Sequence, residues 1–140
     1  MEITANALQT VAPNGVIIFT ETAVRGNGST LHREGSGLVG LRGLTNQCRA
    51  RYLITFAANV ALPTGATATE PISLAVAING EPVGPATMIS TPGAVGEFNN
   101  VAKCVFIDVA QGCCTQVSVE NNGTTPIEVQ NANLIVERVA

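Results

Sequence analysis

Charge is what this chain has least of. Asp, Glu, Lys and Arg together make 12% of the 140 residues, about half of the roughly 25% usual in soluble domains. Apolar residues make 46%. A lone copy so poor in charge would expose broad apolar patches, so the composition points to burial between copies or on a larger particle. There is one lysine, Lys103, and the six arginines form no run. Phosphate backbones need a concentrated positive surface, so nucleic acid is excluded as a partner. No stretch of about 18 apolar residues exists, which excludes a membrane span. The opening MEITANALQTVAPNG lacks a basic n-region and a long apolar h-region, so the expectation is no secretory signal and folding in a cytoplasm.

Catalytic chemistry is equally scarce. The chain has one histidine, His32, and one aspartate, Asp108, too few for a triad or a histidine-rich metal centre. His32 stands beside Arg33 and Glu34 near a turn, where a solvated or salt-bridged role is expected. Asp108 lies near a strand end and suits edge hydrogen bonding, since calcium needs several oxygen ligands. Glu2, Glu120, Glu128 and Glu137 read as solvated strand positions. Gly26-Asn27-Gly28 is no phosphate loop, because no helix follows it. With no Trp and one Tyr, the chain is poorly equipped to stack sugars, although loops 24–30 and 64–70 could carry a glycan or receptor site. The reading is of a non-enzyme, with no cofactor and no metal.

The four cysteines, Cys48, Cys104, Cys113 and Cys114, are not spaced as a disulfide scaffold. Cys113 and Cys114 are adjacent and would point to opposite faces of a strand. No paired C-x-x-C suggests zinc. Free, buried thiols acting as small apolar side chains are expected.

What is present is strand periodicity. In 51–62, Tyr52, Ile54, Phe56, Ala58, Val60 and Leu62 make one face, and Leu53, Thr55, Ala57, Asn59 and Ala61 a second, mostly small one. Ile72, Leu74, Val76 and Ile78 repeat the pattern before Asn79-Gly80, a strong hairpin turn, with a return strand at 87–90. In 97–109, Val101, Val105, Ile107 and Val109 oppose Phe98, Ala102, Cys104 and Phe106. Glu34-Gly35-Ser36-Gly37 marks another hairpin. Val117 and Val119 alternate with Ser118 and Glu120, and Asn121-Asn122-Gly123 reverses the chain. The following strand carries Ile127 and Val129 on one face, then slips phase near Asn131 into Leu134-Ile135-Val136, which suggests a bulge. Apolar residues on both faces there, and again in Val16-Ile17-Ile18-Phe19-Thr20, imply that neither face meets water. These two stretches are expected side by side in the most buried sheet. No helical period survives. Eight or so strands between turn signals specify an all-β, antiparallel two-sheet jelly-roll sandwich, with residues 1–13 as an arm or edge strand and 14–140 as one domain.

The runs RYLITFAANVALPTG (51–65), ISLAVAINGEPV (72–83), CVFIDVAQG (104–112) and VSVENNGTTPIEVQNANLIVERVA (117–140) together resemble the C-terminal globular domain of bacterial collagen-like, exosporium-type surface glycoproteins. The resemblance covers about residues 16–140. It implies a tumour necrosis factor-like or complement-head-like jelly roll that forms homotrimers through the sheet holding its first and last strands. It also implies that residues of 51–62, 104–109 and 134–136 approach the three-fold axis. Ile17, Phe19, Tyr52, Phe56, Phe106, Leu134 and Val136 are accordingly expected at the subunit interface. No Gly-X-Y repeat precedes the domain, and similar stand-alone trimers decorate phage heads. The function expected is therefore a structural homotrimer on a bacteriophage capsid, docked through its N-terminal arm and located on the virion. The alternatives are the head of a cell- or spore-surface fibre, or a glycan- or receptor-binding module.

Overall fold

The computed structural model describes residues 1–66 and 69–140, so the loop expected over 64–70 is seen only in part: Thr67 and Ala68 lie outside the described residues. Eleven strands are described: β1 (Glu2–Ala5), β2 (Gln9–Val11), β3 (Glu21–Val24), β4 (Thr30–His32), β5 (Val39–Arg42), β6 (Arg49–Ala61), β7 (Ile72–Ile78), β8 (Glu81–Ser90), β9 (Asn99–Ala110), β10 (Cys114–Asn121) and β11 (Ile127–Arg138). They form two antiparallel sheets. The inner sheet runs β3-β1-β11-β6-β9, with β2 also paired to β11; the outer runs β4-β5-β10-β7-β8. The fold is the all-β jelly-roll sandwich specified by the alternation.

The longest strand shows why. From Ala50 to Val60 burial alternates residue by residue, because side chains of a strand point to opposite faces and only one face meets the other sheet. Tyr52, Ile54, Phe56, Ala58 and Val60 point inward. They join Phe19, Leu41, Leu74, Val117, Val119, Leu134 and Val136 in one core. The Tyr52 hydroxyl brings a polar tip into that core and donates to the Arg42 carbonyl oxygen at 2.6 Å, as a buried phenol must find a partner.

Two local signals translate directly into geometry. Asn79 and Gly80 have φ of 51° and 84°, the left-handed pair that a two-residue hairpin needs, and β7 turns there into β8. Near Asn131 the β11–β6 register jumps from Gln130 opposite Asn59 to Asn133 opposite Ala57. Asn131 has φ 57°. The single extra residue moves Ala132, Leu134 and Val136 onto the core side, where Ile127 and Val129 already lie.

Other expectations are corrected. Residues 16–20 form no strand of the inner sheet. They run beside the outer sheet, with single bridges from Val16 to Glu120 and from Phe19 to Ser36. The places beside β11 are taken by β1 and β2. Ile17 and Phe19 are buried but Ile18 is exposed. The Ile18 backbone pairs instead with one side chain: Gln9 Nε2 donates to its carbonyl at 2.9 Å, and Gln9 Oε1 accepts from its N–H at 3.0 Å. Residues 1–13 are consequently no free arm. β1 is flanked on both sides, and Ile3, Ala5 and Val11 belong to the core. The return strand of the hairpin spans Glu81–Ser90, beginning immediately after the turn, with a register shift between Ala75 and Ala77. Glu120 is not solvated: wedged between Val16 and Ala75, it is 8% exposed, and burial raises its carboxyl pKa above the usual value.

Candidate subunit interface

The outward face of the inner sheet differs from an ordinary wet sheet surface. Across β6 and β9 the facing pairs are Arg51 with Asp108, Leu53 with Phe106, Thr55 with Cys104, Ala57 with Ala102, and Asn59 with Asn100. On the other side of β6, Ile135 lies opposite Thr55 and Asn133 opposite Ala57. The middle of this face is therefore apolar or small. Phe106 is 62% exposed and Ile135 37%, and Leu53, Thr55 and Ala57 are half-buried. Other exposed apolar side chains, such as Leu8, Leu31, Leu44 and Ile89, belong to four separate segments. Here three neighbouring strands bring Phe106, Leu53 and Ile135 onto one face.

Polar groups bound the patch at both ends. At one end Arg51 grips Asp108 in a two-pronged pair, Nε to Oδ1 at 2.7 Å and Nη2 to Oδ2 at 3.1 Å. Arg49 Nε reaches Oδ2 at 3.1 Å. The Arg51 hydrogen bond holds the Asp108 carboxyl below the ordinary range, assisted by the positive charges of Arg51 and Arg49 and opposed by partial desolvation. The Arg51 guanidinium also lies 5.9 Å from the centre of the Phe106 ring, a cation–π approach.

At the other end four asparagines form a row across the sheet. Asn100 Nδ2 donates to Asn59 Oδ1 at 3.2 Å, Asn59 Nδ2 to Asn131 Oδ1 at 3.0 Å, and Asn131 Nδ2 to Asn6 Oδ1 at 2.6 Å. The bulge at Asn131 makes this possible, since its left-handed backbone leaves that side chain on the outward face beside Asn59.

Of the seven residues expected at the interface, Phe106 alone lies on this face. Ile17, Phe19, Tyr52, Phe56, Leu134 and Val136 are at most 1% exposed and pack inside the chain's own core, out of reach of another copy. The physical reason is alternation: large residues at even positions of β6 fill the space between the sheets, leaving the odd ones outside. The outward face instead carries Leu53, Ile135 and Cys104. Their signal was apolar character in the phase opposite to a strand's core residues.

The cysteines also depart from expectation. All four are free and exposed: Cys104 lies on the outward phase of β9, while Cys48, Cys113 and Cys114 lie in loops or at the very start of a strand. His32 serves its hairpin. Its Nε2 lies 3.0 Å from the Ser36 carbonyl oxygen, which only accepts, so Nε2 carries the proton. Among the described residues no group of three His, Cys, Asp or Glu is placed to hold a metal ion. The loop after β3 is tied down through its backbone, Arg42 Nη1 donating to the Gly28 carbonyl oxygen at 3.1 Å.

No protein-family model matches the chain, and no curated protein matches it significantly in sequence. Solved structures do match in shape. The tumour necrosis factor Eiger of S. frugiperda aligns with a TM-score of 0.71 at 9% identity, over 100% of this chain and 92% of that one. The globular domain of zebrafish complement 1qA protein aligns with a TM-score of 0.63 at 11% identity, over 96% and 93%. Two antiparallel sheets, with the first and a late strand adjacent in the inner one, thus give this chain the jelly-roll fold of the complement C1q and tumour necrosis factor domains.

Proposed function

We propose that this chain is the subunit of a non-enzymatic homotrimer, a structural or receptor-binding module that associates through the outward face of its inner sheet. The observation that carries this reading is the run of outward apolar and small side chains on three adjoining strands, with Phe106, Leu53 and Ile135 at its centre. A patch of that kind, bounded by polar groups, is the usual mark of an association surface. Covering Phe106 contributes at most about 1.5–3 kcal/mol in gross terms and the already half-buried Leu53 and Ile135 less each, offset in part by the cost of ordering the partners. Further copies suit the patch because three such faces can meet around one axis, taking Phe106, Leu53 and Ile135 of each out of water. The number three comes from the fold, in which trimers are common.

Size-exclusion chromatography with light scattering tests the reading. Wild type should elute at about three times the 14.4 kDa chain mass at micromolar concentration, as obligate interfaces of this class bury roughly 2,000–5,000 Å². The double variant Leu53→Asp/Phe106→Asp should elute as a folded monomer. A wild-type monomer, or an unaltered variant trimer, removes this face from the account.

The finer proposal is that the trimer decorates a particle, a bacteriophage capsid in the first instance. It rests on the scarcity of charge and on no site in the fold. Because residues 2–11 are woven into the inner sheet, docking through an N-terminal arm is not part of it. Capsid and portal genes beside this one support the capsid; spore-coat genes, or Gly-X-Y repeats upstream, replace it with the head of a surface fibre.

A further inference from the structure

Resting on the trimer reading, we propose that the row Asn6–Asn131–Asn59–Asn100 sets the position of the second copy on this face, confining contact to the apolar half. The row crosses four segments in three steps of the inter-strand spacing, a strip of roughly 14 Å. Every link runs in one direction, each Nδ2 donating to the next Oδ1. Asn100 also donates to the Ala58 carbonyl oxygen at 3.3 Å, which occupies both its N–H groups. An amide offers two donors and two acceptor sites. Asn59 and Asn131 therefore each keep one N–H and one acceptor site beyond the row, and Asn6 keeps two N–H groups.

Those remaining valences make the strip costly to cover with apolar atoms, since a buried amide group without a partner is strongly unfavourable. A copy that slid toward the row would bury them and also uncover Phe106. Sliding the other way meets the Arg49, Arg51 and Asp108 cluster, whose charges resist desolvation. Small side chains such as Ala57, Ala102, Thr55 and Cys104 impose little register of their own, since flat surfaces slip easily. The polar strip supplies the discrimination, much as one buried polar residue specifies the register and number of strands in a coiled coil. The row is thus a specificity determinant, with the adhesive contact left to Leu53, Phe106 and Ile135.

The test is native mass spectrometry with sedimentation velocity on full-length wild type and on Asn59→Val/Asn100→Val, with circular dichroism to confirm that each is folded. The substitutions suit strand positions and leave the Asn131–Asn6 link in place. Wild type should be one trimeric species. The variant should still associate but lose uniqueness, with more than about a tenth of its mass in dimers or larger assemblies. A variant that remains a single trimer overturns the inference. A variant that becomes monomeric also overturns it, because the row would then be a contact and no boundary. If wild type itself is monomeric, the trimer reading fails first and takes the register role with it. Should the double variant misfold, Asn100→Ala, at the exposed end of the row, is read in the same assay with the same criteria.

Discussion

Asn121 joins the two sheets through a single buried amide. It ends β10 of the outer sheet and is fully buried. Its Nδ2 donates to the carbonyl oxygens of Val11 at 3.1 Å and Thr125 at 2.8 Å, and its Oδ1 accepts from Gly123 N–H at 2.9 Å. Substituting Asn121→Leu leaves those backbone groups without partners, and should lower unfolding free energy by about 2–4 kcal/mol in denaturant titration. Two carboxyls should give opposite pH signatures. Asp108 is held below its ordinary value, so the unfolded chain takes up a proton first as pH falls; its contribution, present above about pH 4, is lost in acid. Asp108→Asn should flatten that acid loss. Glu120 is held above its ordinary value, so the folded chain takes up the proton first. Its contribution grows as pH falls from neutral through the raised pKa toward the unfolded value, and Glu120→Gln should abolish that gain while raising stability at neutral pH. Thermal unfolding between pH 3 and 8 checks both. The sequence made Asp108 legible as an edge hydrogen-bonding residue. It could not reveal Glu120, whose burial depends on Val16 and Ala75, 104 and 45 positions away.

Elements with their own period were legible. β6, β7, β9 and β10 were all read from alternation, and the bulge in β11 from a phase slip at Asn131. Of the short N-terminal strands, β2 falls within the stretch read as an arm or edge strand, and β1 had no signal of its own. Glu2–Ala5 and Gln9–Val11 contain few large apolar residues and take their conformation from β11, to which they hydrogen-bond. Val16–Thr20 has the composition of a strand, yet its neighbours in space are single residues and a glutamine side chain, a tertiary outcome that no local rule contains. The consequence is a prediction about truncation. Removing residues 1–12 takes out Ile3, Ala5 and Val11 together with three strand pairings, so the product should be insoluble or lack a cooperative unfolding transition. A truncated protein with a near-native melting curve would show β1 and β2 to be dispensable.

For the molecule as a whole, the fold was readable and the working surface was half readable. The scarcity of charge and the doubly apolar β11 indicated that something covers the inner sheet. The individual residues were misjudged because the resemblance pointed to whole stretches and did not separate the two faces of each strand. Tyr52 and Phe56, the two aromatics of β6, lie in the space between the sheets, whereas Leu134 and Ile135, alike in size, lie on opposite faces of β11. What remains for another copy is the opposite phase, where Ile135 and Phe106 are conspicuous and Thr55, Ala57, Ala102 and Cys104 are small. On the proposed trimer reading, that face supplies adhesion and its polar margins the selectivity.

One pairing has a bearing on biosynthesis. β1 hydrogen-bonds to the second half of β11, Glu2 facing Ile135, across nearly the full length of the polypeptide. On a ribosome adding 5–20 residues each second, Ile135 follows Glu2 by roughly 7–27 s. Throughout that interval the nascent inner sheet lacks its central strand, and β1, joined by β6 once residues 49–61 are made, presents an open edge to the surroundings. A host factor that shields such edges during translation should raise the soluble yield, and slowing translation without one should lower it.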